Sequence, residues 1–442
     1  MRDKSSIKIR RFTVAEKTNT VSQIVEQVRR ESSNGSNFHV SSTVSEILSL
    51  VSDLGDEALI KLANKFDGSN FKSGVNLFVT REEFSRAYSK VKPQHVLALK
   101  KSREQIKWLA AKQMQRFKAK KLLSPLGFEI NERYVPIQRV GGYIPGGRAA
   151  YPSTVLMICA PANEAGVKQI ILATPAPGGE VNPSVLVAAD ICGVNEVIKV
   201  GGAQAIAALS FGTKTIKKVE LIAGPGNEYV TEAKRQVSSS GAVSIDSLAG
   251  PTELLVIADA SSDPRLVFED LISQAEHGNK TLCGLVSDSP KIIKAVMDCA
   301  KNTRSRARFD KISHSLLFTV LVRCLAQAVE FAQEFAPEHL EVIASKSLEE
   351  GLTRSGLVLS GKFTPCSATD YIVGTNHILP TGGTASRKTG LSVETFLKRV
   401  TIVRGSKKSL ERSANFISDL ADMEGLPNHG LAARARFEAR EC

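Results

Sequence analysis

Apolar stretches typical of strands alternate with stretches typical of helices in the middle of this chain of 442 residues. The pattern predicts strands at 169–174, 196–200, 219–223 and 254–258, and helices at 183–192, 203–209 and 228–237. Strands that alternate with helices form a parallel sheet, and ligands gather at the carboxyl ends of its strands. The chain is therefore predicted to have an α/β fold.

The first part of the chain has a different pattern. Amphipathic spacing predicts helices at 44–54, 56–66 and 94–111, so roughly the first 125 residues are expected to be mostly helical. The Ser-rich stretch 32–36 predicts a linker or mobile loop. No Gly-x-Gly-x-x-Gly pattern occurs anywhere, so the residue pattern alone does not indicate a dinucleotide site.

Composition is typical of a globular enzyme, with 42% hydrophobic and 23% charged residues, enough for more than one core. No apolar run has the length of a membrane span, and the opening residues 1–6 lack an apolar signal segment. The seven cysteines form no Cys-x-x-Cys pair, and Cys159, Cys192 and Cys324 lie in or beside apolar stretches. They are interpreted as reduced thiols, which predicts a cytoplasmic protein.

The net charge of +13 raises the alternative of a nucleic-acid-binding protein. Lys and Arg concentrate at 112–121 and in the C-terminal third, without interleaved aromatic residues. Basic stretches that form helices are usually solvated faces, so neither a nucleic-acid partner nor a membrane is expected. The excess of positive charge would instead favour the approach of a small anionic ligand.

Four of the seven histidines lie in short polar segments at 274–277, 337–341, 370–377 and 424–429. Together these segments supply amide, imidazole and carboxylate groups, which can hold a divalent metal and carry out acid–base chemistry beside it. The first segment ends a predicted helix that begins at Asp263-Pro264, with Asp as N-cap and Gly278 as the C-terminal stop. Gln274 and His277 are three residues apart, so they lie on one face of that helix.

Each segment alone also has a simpler structural interpretation. Gln274 can be a surface residue, and Glu338-His339 can form a solvated turn before the apolar run 340–344. Asp370 and His377 can be turn and loop residues, and Glu424 to His429 can mark the end of one helix and the start of another. The four segments in this order favour one site over four unrelated features.

Long motifs connect these segments to a known family. They occupy 139–147, 200–209, 224–227, 231–236 and 249–253, in addition to the four segments above. With them the chain resembles the histidinol dehydrogenase family over nearly its whole length. The resemblance implies a zinc-dependent oxidation of L-histidinol through L-histidinal to L-histidine that uses two NAD.

The resemblance also implies a role for each matched position. Zinc, one per subunit, would be held by Gln274, His277, Asp370 and His429, which also line the substrate pocket. Glu338 and His339 would be the catalytic pair. The substrate would further contact Thr252, His377 and Glu424, and NAD would contact Tyr143, Gln204 and Asn227.

One position departs from the family pattern, since Thr252 stands where serine is usual. The hydroxyl is kept, but the added methyl group narrows the pocket, which leaves open another small alcohol as substrate. Glu424 favours histidinol, because a carboxylate suits the ammonium group of an amino alcohol.

The implied architecture has two incomplete Rossmann-like α/β lobes. Residues 36–142 and 251–400 would form the first lobe, with the metal and catalytic residues, and 143–250 an inserted second lobe that binds the cofactor. Residues 1–35 would be an N-terminal extension. A helical tail at 401–442, after a linker at 404–407, would complete the neighbour's site in a homodimer.

Overall fold

The computed structural model describes residues 9–15, 19–32, 38–146, 150–277, 280–302, 315–345 and 348–437. Its strands are β1 (Ile9–Thr13), β2 (Lys120–Leu123), β3 (Glu129–Pro136), β4 (Arg139–Tyr143), β5 (Gln169–Ala173), β6 (Glu196–Ile198), β7 (Leu221–Ala223), β8 (Ser244–Ile245), β9 (Glu253–Ile257), β10 (Leu282–Ser287), β11 (Leu316–Leu321), β12 (His339–Val342), β13 (Leu357–Ser360) and β14 (Leu397–Arg404).

The helices, apart from short 3-10 turns, are α1 (Val21–Ser32), α2 (Phe38–Leu54), α3 (Asp56–Asp67), α4 (Arg81–Lys90), α5 (Pro93–Met114), α6 (Pro152–Ala165), α7 (Pro183–Ile191), α8 (Gly202–Phe211), α9 (Glu228–Ser239), α10 (Pro264–Ala275), α11 (Pro290–Asn302), α12 (Leu325–Phe335), α13 (Cys366–Tyr371), α14 (Lys407–Glu411), α15 (Ala414–Met423) and α16 (Pro427–Arg434). None of these described helices is both long and apolar enough to cross a membrane.

The first lobe is built on a parallel sheet with the order β1-β11-β10-β9-β12-β13. Side chains of β9 alternate between two cores, because successive residues of a strand point to opposite faces. Leu255 and Ile257 pack with α1 and α12, whereas Leu254 and Val256 pack with α10 and α11. The N-terminal segment thus contributes a strand and a helix to this lobe.

The second lobe is built on a parallel sheet with the order β6-β5-β4-β7-β8. Numbered along the chain within each lobe, both sheets have the strand order 3-2-1-4-5, with β1 added at one edge of the first. This is the order of doubly wound nucleotide-binding folds, in which a crevice opens between strands 1 and 4. The predicted α/β class is confirmed.

Helices α2 to α5 pack on the second lobe. Side chains of α2 and α3 share a core with α8 and α9, and side chains of α4 and α5 share one with α6 and α7. This packing differs from the assignment of residues 36–142 to the first lobe. The reason is physical, because the apolar faces of these helices have their counterpart in the helices that flank β4 to β8.

A third, antiparallel sheet with the order β14-β3-β2 was not predicted. Its longest pairing runs from Leu397 opposite Pro136 to Arg404 opposite Glu129. Arg404 therefore ends a strand, and Lys407 begins α14 after the N-cap Ser406. The predicted linker at 404–407 shortens to two residues, after which the tail continues as α14, α15 and α16.

The predicted helices and strands of the centre are confirmed to within a few residues. For example, β6 ends at Ile198 rather than at residue 200, and α10 begins after Asp263, whose side chain accepts a hydrogen bond from the backbone of Arg265. Gly278, Gly147 and most of the predicted loop at 32–36 lie outside the described residues.

At the carboxyl edge of the first sheet, the crevice between β9 and β12 is closed by a side chain. Asp259 follows β9 and accepts hydrogen bonds from the backbone nitrogen and the hydroxyl of Ser345, at 2.8 and 2.6 Å. It also accepts one from the hydroxyl of Ser261 at 2.6 Å. These hydrogen bonds join the loops that follow β9 and β12, the two strands between which folds of this class usually hold a ligand.

In the second lobe the same crevice is bordered by Gly224, immediately after β7. Its φ of +119° is outside the range that other residues adopt readily, and an added Cβ would lie 2.2 Å from the carbonyl oxygen of Tyr143. Lys234 donates hydrogen bonds to the Gly224 carbonyl at 2.9 Å and to Asp246 at 2.5 Å. Asp246 in turn accepts one from the Gly224 nitrogen at 2.8 Å, so a buried ion pair fixes this turn.

Removing one member of this pair should destabilise the protein. In Asp246→Ala, the ammonium group of Lys234 stays buried without its partner, so we expect a loss of about 3–5 kcal/mol in the free energy of unfolding. Urea denaturation followed by circular dichroism measures it. The exposed Lys217→Met is the control and should change stability by less than about 0.5 kcal/mol. Equal midpoints for Asp246→Ala and the control would contradict the proposed role of the pair.

Candidate active site

Three of the four predicted polar segments, 274–277, 337–341 and 370–377, meet at the amino edge of the first sheet. Glu338 and His339 stand at the start of β12, and the half-buried Thr252 precedes the neighbouring β9. The end of α10, which leads into β10, brings Gln274 and His277 to the same edge. In this sheet the predicted residues lie at the amino edge rather than at the carboxyl ends of the strands, where ligands were expected from the sequence.

His339 is at the centre of the cluster and only 2% exposed. Its Nδ1 lies 3.7 Å from Oε2 of Glu338, and its Nε2 lies 3.8 Å from Oδ1 of Asp370. Neither ring nitrogen has a hydrogen-bond partner within the described residues. Burial alone would lower the pKa of His339, but the neighbouring Glu338 and Cys366 raise it well above its usual value. The surroundings thus favour a proton on the ring, beside the carboxylate of Glu338.

Besides His339, Asp370 lies close to two more histidines. Its Oδ2 lies 3.8 Å from Nε2 of His277, while its backbone oxygen lies 3.1 Å from Nδ1 of His377. Burial acts to raise the pKa of Asp370, but His277 and His339 outweigh it and hold the pKa below its usual value. Asp370 lies in helix α13 rather than in the predicted turn, so its side chain has a fixed direction into the site.

Gln274 and Cys366 complete the buried side of the cluster. The carboxamide oxygen of Gln274 lies 3.4 Å from the sulfur of Cys366, and both side chains are buried. Cys366 was not predicted from the sequence. A helical interpretation of 366–371 would have found it, because Cys366 and Asp370 are four residues apart and share a helix face.

Polar groups continue behind His339 between β12 and α10. Glu341 lies on the same face of β12 and is 1% exposed, and Asp270 lies one turn before Gln274 on α10. Burial, followed by the charge of Asp270, raises the pKa of Glu341 to about 9. A protonated Glu341 can donate to Asp270, so the two carboxyl groups can share one proton in the interior.

Glu338 is held in place by hydrogen bonds with Glu253, which itself forms an ion pair. The backbone nitrogen of Glu253 donates to Oε2 of Glu338 at 2.9 Å, and the backbone nitrogen of Glu338 donates to Oε2 of Glu253 at 3.2 Å. The Glu253 carboxylate, with no exposed surface, pairs with the guanidinium group of Arg29 from α1. It also accepts a hydrogen bond from Gly382 at 3.0 Å. The pattern of polar segments contained no signal for this support.

The three residues expected at the cofactor all lie at the carboxyl edge of the second sheet. Tyr143 ends β4, Gln204 lies in the first turn of α8, and Asn227 is the N-cap of α9. Tyr143 and Gln204 are buried, and the Tyr143 hydroxyl accepts a hydrogen bond from the Gly202 nitrogen at 3.0 Å. Burial raises the pKa of Tyr143 to about 12, so its hydroxyl is a neutral group at this edge.

Glu424 and His429 are not brought to the cluster within one chain. Glu424 caps α15 and His429 lies in the first turn of α16, and both side chains are exposed. The two helices pack mainly against each other. No hydrogen bond or ion pair of the described residues joins either side chain to the groups around Asp370.

The structure is that of a two-lobed α/β protein in which the parallel sheets of both lobes have the same strand order. The first lobe carries a buried cluster of imidazole, carboxylate and amide groups, which is a candidate acid–base and metal site. The chain belongs to the histidinol dehydrogenase family, whose sequence model matches residues 28–437. It is similar to the histidinol dehydrogenase of Methanocaldococcus jannaschii, with 41% identity over 92% of this chain and 94% of the relative. That of a Synechococcus species is 40% identical over 91% and 93%.

A solved structure supports this assignment. The crystal structure of histidinol dehydrogenase from Elizabethkingia anophelis superposes with a TM-score of 0.88, covering 97% of this chain and 98% of the other at 30% identity. The match extends over both lobes and the tail, so the resemblance inferred from motifs is confirmed at the level of the family.

Removal of Arg29 from the Arg29–Glu253 pair should lower the stability of the protein by an amount that depends on pH. Burial already holds the pKa of Glu253 above its usual value, although Arg29 acts against this. Arg29→Met should raise that pKa further and cost about 3–5 kcal/mol at neutral pH, where a lone carboxylate stays buried. Because the folded variant then binds a proton more readily than the unfolded chain, the deficit relative to the parent should shrink at about pH 5.

Denaturation of parent and variant at both pH values tests this prediction. Arg29→Lys is the matched control, since it keeps the positive charge and should lose less stability. An Arg29→Met deficit of the same size at both pH values would show that packing rather than charge is lost.

Proposed function

We propose that this protein is an L-histidinol dehydrogenase, which oxidises L-histidinol through L-histidinal to L-histidine with two NAD. The observation that carries the proposal is His339, a buried imidazole without hydrogen-bond partners among the described residues, between the carboxylates of Glu338 and Asp370. Buried polar groups normally have partners, so an orphaned ring indicates a ligand or a reacting group. Family membership gives this acid–base site its substrate class.

The residues present fit a divalent metal. Gln274, His277 and Asp370 offer an amide oxygen, an imidazole nitrogen and a carboxylate oxygen, a donor set suited to zinc. A fourth donor, His429, would come from the tail of a second subunit. Zinc bound there would supply a positive template that holds the imidazole and amino nitrogens of the substrate.

Protons are moved by the chain's own residues. In the first oxidation His339 accepts the proton of the substrate hydroxyl as hydride leaves the carbon. In the second, Glu338 takes a proton from the water that adds to the aldehyde, and His339 accepts the next hydroxyl proton. The short Glu338–His339 spacing lets both groups act on one carbon, and the hydrogen bond from the Glu253 backbone fixes the carboxylate.

The second lobe fits a dinucleotide, and NAD bound there would supply the hydride acceptor. Helices α8 and α9 begin at the carboxyl edge of the sheet, and the N-terminus of a helix attracts an anionic pyrophosphate. The turn at Gly224 lets the backbone approach closely. Tyr143, Gln204 and Asn227 lie at this edge and are proposed to contact the cofactor. The net charge of +13 favours its approach.

Substrate recognition is proposed to involve three more residues. His377 lies beside Asp370, and burial lowers the pKa of the His377 ring. The ring therefore stays neutral and can contact the substrate. Glu424 would pair with the substrate ammonium group. Thr252 supplies a hydroxyl at the amino edge, and its extra methyl group favours the second candidate, a dehydrogenase of the same family that uses another small alcohol.

The exposed tail supports a homodimer. Its two long helices carry apolar side chains that face solvent in the single chain, and these are Phe416, Leu420, Met423 and Leu431. A surface of this kind favours burial against another chain. We infer that the tail crosses to a second copy, so that His429 and Glu424 complete the neighbour's site and each dimer holds two composite sites.

The cysteines support a reducing compartment. The six described cysteines are all free thiols, and three of them, Cys159, Cys283 and Cys366, have no exposed surface. Free thiols are typical of proteins in the cytoplasm, where disulfides are rare. We therefore propose a cytoplasmic enzyme.

The first test is turnover and its metal dependence. Purified protein should form NADH with L-histidinol and lose this activity after chelation, and added Zn²⁺ should restore it. Measuring NADH with L-histidinol and with other small alcohols in parallel separates the two candidates. Faster turnover of another alcohol would favour the second candidate, and full activity in protein shown to be metal-free by elemental analysis would contradict the metal site.

The second test separates the catalytic pair. His339→Asn should slow both oxidations, whereas Glu338→Gln should mainly slow the conversion of aldehyde to acid, because only that half needs an activated water. Each variant is assayed with the alcohol and, separately, with the aldehyde. Equal losses in both halves for Glu338→Gln would show that the two roles are not divided.

The third test concerns the shared site. Co-expression of the inactive variants His339→Asn and His429→Ala gives mixed dimers in which one site carries both changes and the other carries neither. Random pairing should recover about a quarter of the parental activity. Each variant expressed alone is the control. If the tail served its own lobe, every site would carry one change and the mixture would stay inactive.

A further inference from the structure

One buried thiol lies inside the candidate metal site without a role in the proposed reaction. Cys366 begins α13 and has no exposed surface. Its sulfur, one ring nitrogen of His339 and one carboxylate oxygen of Asp370 all lie within 4.8 Å of one another. We propose that the Cys366 sulfur is a ligand of the divalent metal, on the side of the site formed by Gln274. This inference rests on the proposed function, since it assumes that the site holds a metal.

The distance between Cys366 and Gln274 matches two ligands of one ion. Zinc binds sulfur at about 2.3 Å and oxygen at about 2.0–2.2 Å, which places neighbouring ligands of these kinds about 3.1 Å apart at a right angle and about 3.6 Å apart at a tetrahedral angle. The measured separation of the Cys366 sulfur and the Gln274 oxygen is 3.4 Å. Both residues are on the buried side of the cluster, where the protein fixes their positions.

Helix α13 directs the thiol and the carboxylate into the same space. Cys366 and Asp370 are four residues apart, so they share the inner face of the helix. The Thr369 hydroxyl donates to the backbone oxygen of Cys366 at 2.7 Å, which ties the helix start to its middle. Across the site, His339 presents ring nitrogens that have no partner among the described residues. A bound ion would give the thiol and the carboxylate a common partner, and the His339 ring would remain free for the substrate.

Binding through sulfur has a simple proton balance. The thiol S–H bond breaks, a sulfur–metal bond forms, and the proton leaves to solvent or buffer, without any change of oxidation state. The competing arrangement keeps the thiol protonated, as a weak donor to the Gln274 oxygen. In that case Cys366 only orients the amide, and sulfur does not contact the metal.

Cobalt substitution distinguishes the two arrangements without measuring activity. The full-length protein is stripped of metal, loaded with Co²⁺ alone, and its absorption spectrum recorded together with the bound metal per chain. A sulfur ligand gives a sulfur-to-cobalt charge-transfer band in the near ultraviolet, which oxygen and nitrogen ligands do not give. We expect this band in the parent protein and its loss in Cys366→Ser.

Two further variants keep the result interpretable. Cys324→Ser changes an exposed thiol that follows β11 at the carboxyl edge of the sheet, opposite to the cluster, and should keep the band. Cys366→Ala should lose the band as Cys366→Ser does, and thermal melts of both confirm that they are folded. Bound Co²⁺ without a charge-transfer band in the parent would overturn the proposal for Cys366 and leave the proposed function intact. Failure of the parent to bind Co²⁺ or Zn²⁺ would overturn both.

Discussion

A carboxylate without solvent contact governs the arrangement of the first lobe. Glu253 lies at the amino end of a central strand, where an unpaired buried charge would strongly lower the free energy of unfolding. Arg29, from a helix near the N-terminus, neutralises it, and Gly382 supplies a further hydrogen bond. The backbone nitrogens of Glu253 and Glu338 each donate a hydrogen bond to the other residue's carboxylate, which joins the start of β12 to Glu253. Three distant parts of the chain are thus joined at one charged group, directly behind the site.

Signals that act over a few residues made much of the fold predictable from the sequence. Asp263-Pro264 marks a helix start because the cap and the missing N–H both act locally. Strand β14 was not predicted because its partner β3 is distant in sequence and its exposed residues carry no strong alternation. Strand β1 was not predicted for the same reason, because its partner β11 is also distant in sequence. Long-range pairing leaves little trace in a local pattern.

The site was predictable to a similar degree. The ligand types of Gln274, His277, Glu338, His339 and Asp370 are visible as short polar segments, and the structure brings these five residues together. Arg29 and Cys366 were missed, because neither stands in a segment that is unusual by composition. From the sequence, ligands were expected at the carboxyl ends of the strands, whereas this cluster lies at the amino edge of the first sheet. At the carboxyl edge, Asp259 instead joins the loops that follow β9 and β12.

The two proposed sites lie at opposite edges of their sheets, and this placement has an electrostatic consequence. In a parallel α/β lobe, helices begin at the carboxyl edge of the sheet and end at its amino edge, so the two edges have opposite polarity. The proposed dinucleotide site of the second lobe lies at the edge with positive helix ends, which attracts anions. The candidate metal site of the first lobe lies at the edge with negative helix ends, and the end of α10 there carries Gln274 beside the carboxylate of Asp370. One strand order thus provides an anion-attracting edge and a cation-attracting edge, and each proposed site lies at the edge suited to its ligand.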